Sequence, residues 1–274
     1  LKPMMTFFIT TIAVAFYVNV SVALLGFIQG NEEVGYYNAA YRIKDVMVSI
    51  VTSLGAVLLP RLSYYIENNM WDKFNNILSK STQFIFILSL PLVVFCILFA
   101  KPSVLILAGS AYSGSIIPLQ VLALIIFIVG LSNLTGIQML IPLKKEKYLC
   151  YSVVIAAVIN MVLNLILIPE YGAIGAAVSV MVAESSILIY QIYILRAYSQ
   201  VLFGGISYMR IIMALTLAIS VSIWLNINLS YNEIIVFLVS ASLFFICYLG
   251  VLLLSKEPFI FTILNQIRSK LTKN

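Results

Sequence analysis

The chain is written as a series of apolar runs, each about eighteen residues or longer and each ended by charges or turn formers: approximately 4–28, 34–60, 82–100, 116–142, 149–168, 172–195, 208–228 and 233–254. A run of that length matches the roughly 30 Å hydrocarbon core of a bilayer at about 1.5 Å per helical residue. In lipid each backbone N–H and C=O must be satisfied within the protein, which makes helices of such runs. The expected fold is therefore all-α: a polytopic membrane protein of about eight transmembrane helices. Composition agrees, with 62% hydrophobic and 9% charged residues against about 25% charged in a soluble domain. The loops between runs are too short to fold separately, so the function is expected within the bilayer.

A net charge of +6 invites a nucleic-acid partner, but the basic residues sit in short loops between apolar runs, where they report topology instead. With the N-terminus in the cytoplasm, thirteen Lys and Arg fall inside, from Lys2 and Arg61 through Lys144, Lys145 and Lys147 to Lys273. Lys101 alone falls outside, and Arg42 and Lys44 lie within the second span. Both termini are thus expected on the cytoplasmic side. The first run is too long for a cleavable leader, and a chain that begins with Leu1 reads as a piece of something longer. Two stretches are expected to lie on the cytoplasmic face among lipid headgroups. In 66–81, Ile66, Met70, Phe74, Ile77 and Leu78 share one helical face; in the tail, Phe259, Ile263, Ile267 and Leu271 repeat every four residues among basic ones.

There is no histidine, and Cys96, Cys150 and Cys247 are far apart in apolar runs. The most common general base and metal ligand is missing, and no cysteine pair has metal-ligand spacing. No catalytic residue, metal or cofactor is expected. A membrane glycan polymerase or acyltransferase would need such residues near the surface, commonly with a sizeable loop.

The polar residues inside the spans remain. Asn38, Arg42, Asp45, Ser49, Thr52 and Ala56 follow 4-3-4-3-4 spacing and form one stripe down a helix. Arg42 lies roughly 10 Å below the outer end of its span. Burying a charge at that depth costs a few kcal/mol. Two readings are open: Arg42 is neutralised by Asp45 at i, i+3, or it faces a water-filled cavity and binds an anion, its fork matching phosphate oxygens. Asn38, Asp45 and Asn19, near the same depth, are candidates to line that cavity. Lys44 points elsewhere and is expected to snorkel to the headgroups. Glu184, in the middle third of the sixth span, reads as an interhelical hydrogen-bonded carboxyl or as a proton or cation coupling site. Asn133, Gln138, Asn160 and Asn164 are expected to bond between helices. Gly172, Gly175, Ala176, Ser179 and Ala183 form a small-residue packing face, and Pro91 should kink the third helix.

The second span, Tyr36-Tyr37-Asn38-Ala39-Ala40-Tyr41-Arg42 running to Leu58-Leu59-Pro60-Arg61-Leu62-Ser63, resembles the eighth helix of polysaccharide and lipid II flippases. These belong to the multidrug/oligosaccharidyl-lipid/polysaccharide exporter superfamily. Asn160, Asn164, Pro169, Gly172, Gly175, Ala176 and Ala177 are similar to that family's stretch across its fifth and sixth spans of this lobe. The resemblance implies a second six-helix lobe over residues 1–200 and two additional helices with a basic tail over 201–274. The first lobe would then be a missing partner. It further implies alternating access in a bacterial cytoplasmic membrane, with an undecaprenyl-pyrophosphate-linked glycan as substrate and other glycan-assembly proteins as possible neighbours. The family's cationic cavity residue on that helix matches Arg42. A cation-coupled multidrug exporter of the same superfamily is the alternative; it would want an acidic cavity, against which Arg42 weighs.

Overall fold

A computed structural model describes residues 2–53, 55–228 and 233–262. The described residues are helical almost throughout. α1 (Lys2–Ile28), α2 (Asn31–Thr52), α3 (Gly55–Glu67) and α4 (Trp71–Leu98) lead through the short α5 (Ala100–Leu107) and a 3₁₀ segment, Ser110–Ser115, into α6 (Ile116–Asn133). A π-helical segment, Leu134–Leu140, then precedes α7 (Glu146–Ile194), the short α8 (Ser199–Phe203), α9 (Tyr208–Asn228) and α10 (Glu233–Leu254). Six helical stretches are long and apolar enough to cross a bilayer, including Asn31–Glu67, Trp71–Leu98 and Glu146–Ile194.

α7 holds two crossings. Straight, its 49 residues would extend about 73 Å, far beyond any bilayer core. It reverses at Gly172, whose φ of 51° and ψ of −128° favour a residue without Cβ. The fold-back is visible in side chains: Gln191 Nε2 donates to Ser152 Oγ at 3.3 Å, a pair 39 residues apart in sequence. A Cβ on Gly175 would strike the Leu167 carbonyl on the facing arm, so glycine is what lets the arms close. With the second arm of α7 and the 27-residue α1 added to the six, the described residues accommodate the eight crossings expected.

The corner joining α1 to α2 holds this reversal. Gly30 turns the chain at φ 94°. Beside it, Gln29 Nε2 donates to the carbonyls of Ile168 and Pro169 at 3.0 and 2.8 Å. Glu33 Oε2 accepts from the N–H of Ala173 at 2.6 Å. One side chain thus satisfies carbonyls orphaned where the first arm ends, and the other an N–H orphaned where the second begins.

Tyr37, Ala40, Leu119, Leu122, Ala173, Ala176 and Ala177 are buried between α2, α6 and the second arm. Gly172, Gly175, Ser179 and Ala183 are buried too, which bears out the packing face. α10 is tied to α4 by Tyr248, whose hydroxyl donates to the Ile87 carbonyl at 2.9 Å, and by Phe95 and Phe99 against Phe237, Phe244 and Phe245. The outward surface is apolar: Phe27 is 90% and Leu254 85% exposed. This is a multi-pass membrane protein.

Two expectations change, and a third falls mostly outside the described residues. Residues 66–81 do not form a helix of their own on the membrane surface. α3 ends at Glu67, and α4 starts at Trp71 and continues as a span. Phe74 and Leu78 are fully buried against the protein, so their apolar face covers the core and not lipid. The polar stripe is interrupted after Thr52, where α2 gives way to α3. There Ser49, Thr52 and Ser53 turn their hydroxyls back onto the carbonyls of Val46, Val48 and Ile50, competing with the helical ladder. Of the tail helix, Phe259 packs edge-on against Phe84, ring centroids 6.4 Å apart; Ile263, Ile267, Leu271 and the basic residues among them lie outside the described residues.

Candidate functional site

α2 presents two different faces because residues two apart on a helix point about 200° apart. One face opens on a cavity of about 590 Å³ lined by Gly35, Asn38, Ala39, Arg42, Ile43, Val46, Leu107, Ala108 and Tyr112. Asn38 and Arg42 share a face at i, i+4. Gly35 sits one turn above, leaving room for the Tyr112 ring 3.5 Å from where a Cβ would be. The far wall is the end of α5 and the 3₁₀ segment, held by Tyr36: its ring stands edge-on to Tyr112 at 6.4 Å, and its hydroxyl donates to Glu32. Arg42 is exposed, and its guanidinium has no ion-pair partner among the described residues. It stands eleven residues into α2, about 16 Å from the helix start, deeper than the sequence reading placed it. A free guanidinium in an open cavity is suited to bind an anion, and Asn38 adds neutral hydrogen-bonding capacity beside it.

The Arg42–Asp45 pair is not formed. Asp45 instead lies 3.5 Å from Lys44 Nζ, and the Asp45 side chain is 63% exposed. Asp45 is absent from the cavity lining. Lys44 is likewise not a snorkelling residue: it is buried, with Nζ 3.7 Å from the centroid of the Tyr41 ring. Asn19 is also not brought to the cavity; it is exposed, and its amide donates to the Ala15 carbonyl of its own helix at 2.6 Å.

The other face of α2 looks into the lobe. Tyr37, Ala40 and Lys44 are buried there, close to Tyr17 of α1 and Glu184 of α7. The Tyr17 hydroxyl donates to Glu184 Oε1 at 2.6 Å, so Glu184 does bridge helices. One turn nearer the corner, Asn164 Nδ2 donates to Ser21 Oγ and Asn160 Oδ1, both at 2.9 Å, joining α1 to the first arm as the stacked asparagines predicted. Asn133 and Gln138 do not follow that pattern; Gln138 Nε2 donates to Asn133 Oδ1 at 3.1 Å within the π-helical region. Lys44 was missed as a buried group, and the signal was present: Tyr37, Ala40, Tyr41 and Lys44 share a helical face that is otherwise apolar or aromatic. Among the described residues no cluster of His, Cys, Asp and Glu could hold a metal ion.

The family model described as polysaccharide biosynthesis protein matches residues 2–117, a segment that contains the whole lining of the Arg42 cavity. A protein of Escherichia coli (strain K12) described as an O-antigen transporter is 27% identical over 177 residues, 65% of this chain and 42% of that protein. One of Haloferax volcanii described as a low-salt glycan biosynthesis flippase is 24% identical over 176 residues, 62% of this chain and 36% of that protein. The chain thus spans less than half the length of either relative. Among solved structures, a lipid II flippase in an inward closed conformation matches with a TM-score of 0.69 and 17% identity, over 90% of this chain and 51% of that one. That likeness concerns the fold alone; the family match and the transporter and flippase relatives accord with the resemblance drawn from the second, fifth and sixth spans.

Proposed function

We propose that this chain, a relative of the polysaccharide biosynthesis flippases of the multidrug/oligosaccharidyl-lipid/polysaccharide exporter superfamily, supplies one lobe of a transporter that moves a lipid-linked oligosaccharide across the bacterial cytoplasmic membrane. The observation that carries this reading is Arg42: a guanidinium about 16 Å down a membrane helix, without an ion-pair partner among the described residues, lining an open cavity beside Asn38. The pyrophosphate of a polyprenyl-linked glycan is an anion that such a fork holds in bidentate fashion. The sugars fill polar space in the cavity while the polyprenyl tail stays in lipid. Ile43, Val46 and Leu107 give the same cavity an apolar margin, which suits the junction between phosphate and prenyl chain. A first lobe, absent from this chain, closes the other side, and rocking of the two lobes alternates access. Transport of this kind makes and breaks no covalent bond. Glu184, held by Tyr17 in the same lobe, is the coupling site for a proton or cation.

A multidrug exporter that takes cations is disfavoured by the same residue, since an unpaired guanidinium repels them. The test is export by the full-length protein in cells. Arg42→Ala abolishes it, and Arg42→Lys restores part, because an ammonium supplies charge without the planar fork. Normal export in both variants would refute the anion site. For Glu184→Gln, an ion-driven cycle slows; rates that match wild type across a pH and sodium series would remove Glu184 as a coupling site.

A further inference from the structure

The buried face of α2 holds one ammonium and two carboxylates in reach of it. Lys44 is only 4% exposed, a costly placement for a cation in a membrane core unless it is paired. One partner is Asp45, 3.5 Å away. The other is Glu184, placed by the backbone. α2 and the second arm of α7 leave the same corner, tied by Glu33 to Ala173, and α1 is tied there by Gln29. Lys44 is eleven residues from Glu33, Glu184 eleven from Ala173 and Tyr17 twelve from Gln29, so all three stand about 16–18 Å from that corner. Tyr17 from α1 and Tyr37, Tyr41 and Lys44 from α2 are the titratable groups facing Glu184, with Asp45 beyond Lys44.

We propose that Lys44 is the built-in counter-cation of Glu184, shared with Asp45, and that an anion bound at Arg42 draws the ammonium towards Asp45 and leaves Glu184 to take up a proton. The inference rests on the Arg42 anion-site reading. Arg42 and Asp45 stand at i, i+3 on adjoining faces of α2, so a phosphate in the Arg42 cavity adds negative charge on the flank where the Asp45 carboxylate already lies 3.5 Å from Lys44 Nζ, and the flexible four-carbon stem of Lys44 lets its head follow. Glu184, deprived of its counter-charge in a low-dielectric layer, takes a proton from hydronium of the solution, one O–H bond breaking there as one forms on the carboxylate, which leaves water and a neutral carboxylic acid. Substrate binding and proton uptake are then linked through one helix, without an imported metal cation at the carboxylate.

Infrared difference spectroscopy on the full-length protein in nanodiscs tests this, with geranyl pyrophosphate as probe and proton uptake read by a pH dye in weak buffer. In wild type, binding raises a protonated-carboxyl C=O band and takes up as much as about one proton per probe. Glu184→Gln binds the probe but shows neither. Lys44→Met shows the band before any probe is added, with no further rise, and Lys44→Arg, which keeps the charge, behaves as wild type even where the methionine variant folds poorly. If the probe binds wild type and is lost in Arg42→Ala, yet the band never changes, the Lys44 device is refuted and the anion site stands. If wild type does not bind the probe, or Arg42→Ala binds it equally, the anion site is refuted and the device falls with it.

Discussion

Two basic residues two positions apart on α2 have opposite fates, and helix geometry is the whole reason. Arg42 shares its face with Asn38 and Gly35 and meets open space; Lys44 shares its face with Tyr37 and Ala40 and meets protein. The snorkelling rule misled here because it describes lysines near helix ends, and α2 begins at Asn31, which puts Lys44 near mid-membrane. The same scale explains Glu33, which beside Glu32 between spans looks like loop decoration and in three dimensions caps the second arm of α7. Glu33→Ala should cost about 1 kcal/mol, the usual worth of such a cap. Gly172→Ala should cost more, because it combines a backbone angle that disfavours Cβ with a clash against the Glu33 carboxylate. The pair should be non-additive: with the carboxylate gone, the alanine at 172 keeps only its backbone strain. Thermal unfolding of the two single variants and the double variant in detergent checks this, and strict additivity would show that the carboxylate and the glycine do not meet.

At the level of elements, the existence and order of the spans were legible because bilayer thickness imposes a length on every apolar run. α9 and α10 coincide with the runs at 208–228 and 233–254. Deviations from ideal α-geometry were not legible. The π-helical segment Leu134–Leu140 has ordinary helix-forming composition and exists because of what it meets. There Thr135 donates to Gln191 Oε1 at 2.6 Å, and Gly136 lies where a Cβ would come 2.9 Å from Leu149 Cδ1. Nor could periodicity show whether the apolar face of 66–81 met lipid or protein, since both accept it. Glycine substitutions separate packing from propensity. Gly130→Ala would put a methyl 2.8 Å from Val51 Cγ1, and Gly136→Ala would crowd Leu149 and Gln191, whereas at Gly250 nothing lies within 4 Å. The first two should destabilise by about 1–3 kcal/mol, as overpacking does. Gly250→Ala should be neutral or stabilising by up to about 1 kcal/mol through helix propensity. Melting temperatures that fall alike for all three would mean that these helix contacts are not as described.

At the level of the molecule, depth and side fix what the lobe can do, and charge is what assigns the side. Lys144, Lys145 and Lys147 cluster at the turn before α7, whereas the segment from Gly109 to Ser115 that roofs the Arg42 cavity carries no charge at all. A bilayer orients a protein by keeping basic loops in the cytoplasm, so the roof of the cavity should face outward and the lysine turn inward. Arg42, on the helix that descends from the roofed end, is then reached from the outer side, which on the proposed function is the side where the transported glycan is released. Labelling intact cells with a membrane-impermeant maleimide decides the matter, using full-length protein whose own cysteines are replaced by alanine. Ser113→Cys should react in intact cells; Lys145→Cys should react only after the membrane is opened. Cys96 and Cys150 are buried, so their removal is a packing change and not a loss of surface, and export by the cysteine-free parent verifies that the lobe survives it. The reverse labelling pattern would turn the molecule over and place Arg42 in the inner half of the bilayer, where the same guanidinium would meet the glycan before transport and not after.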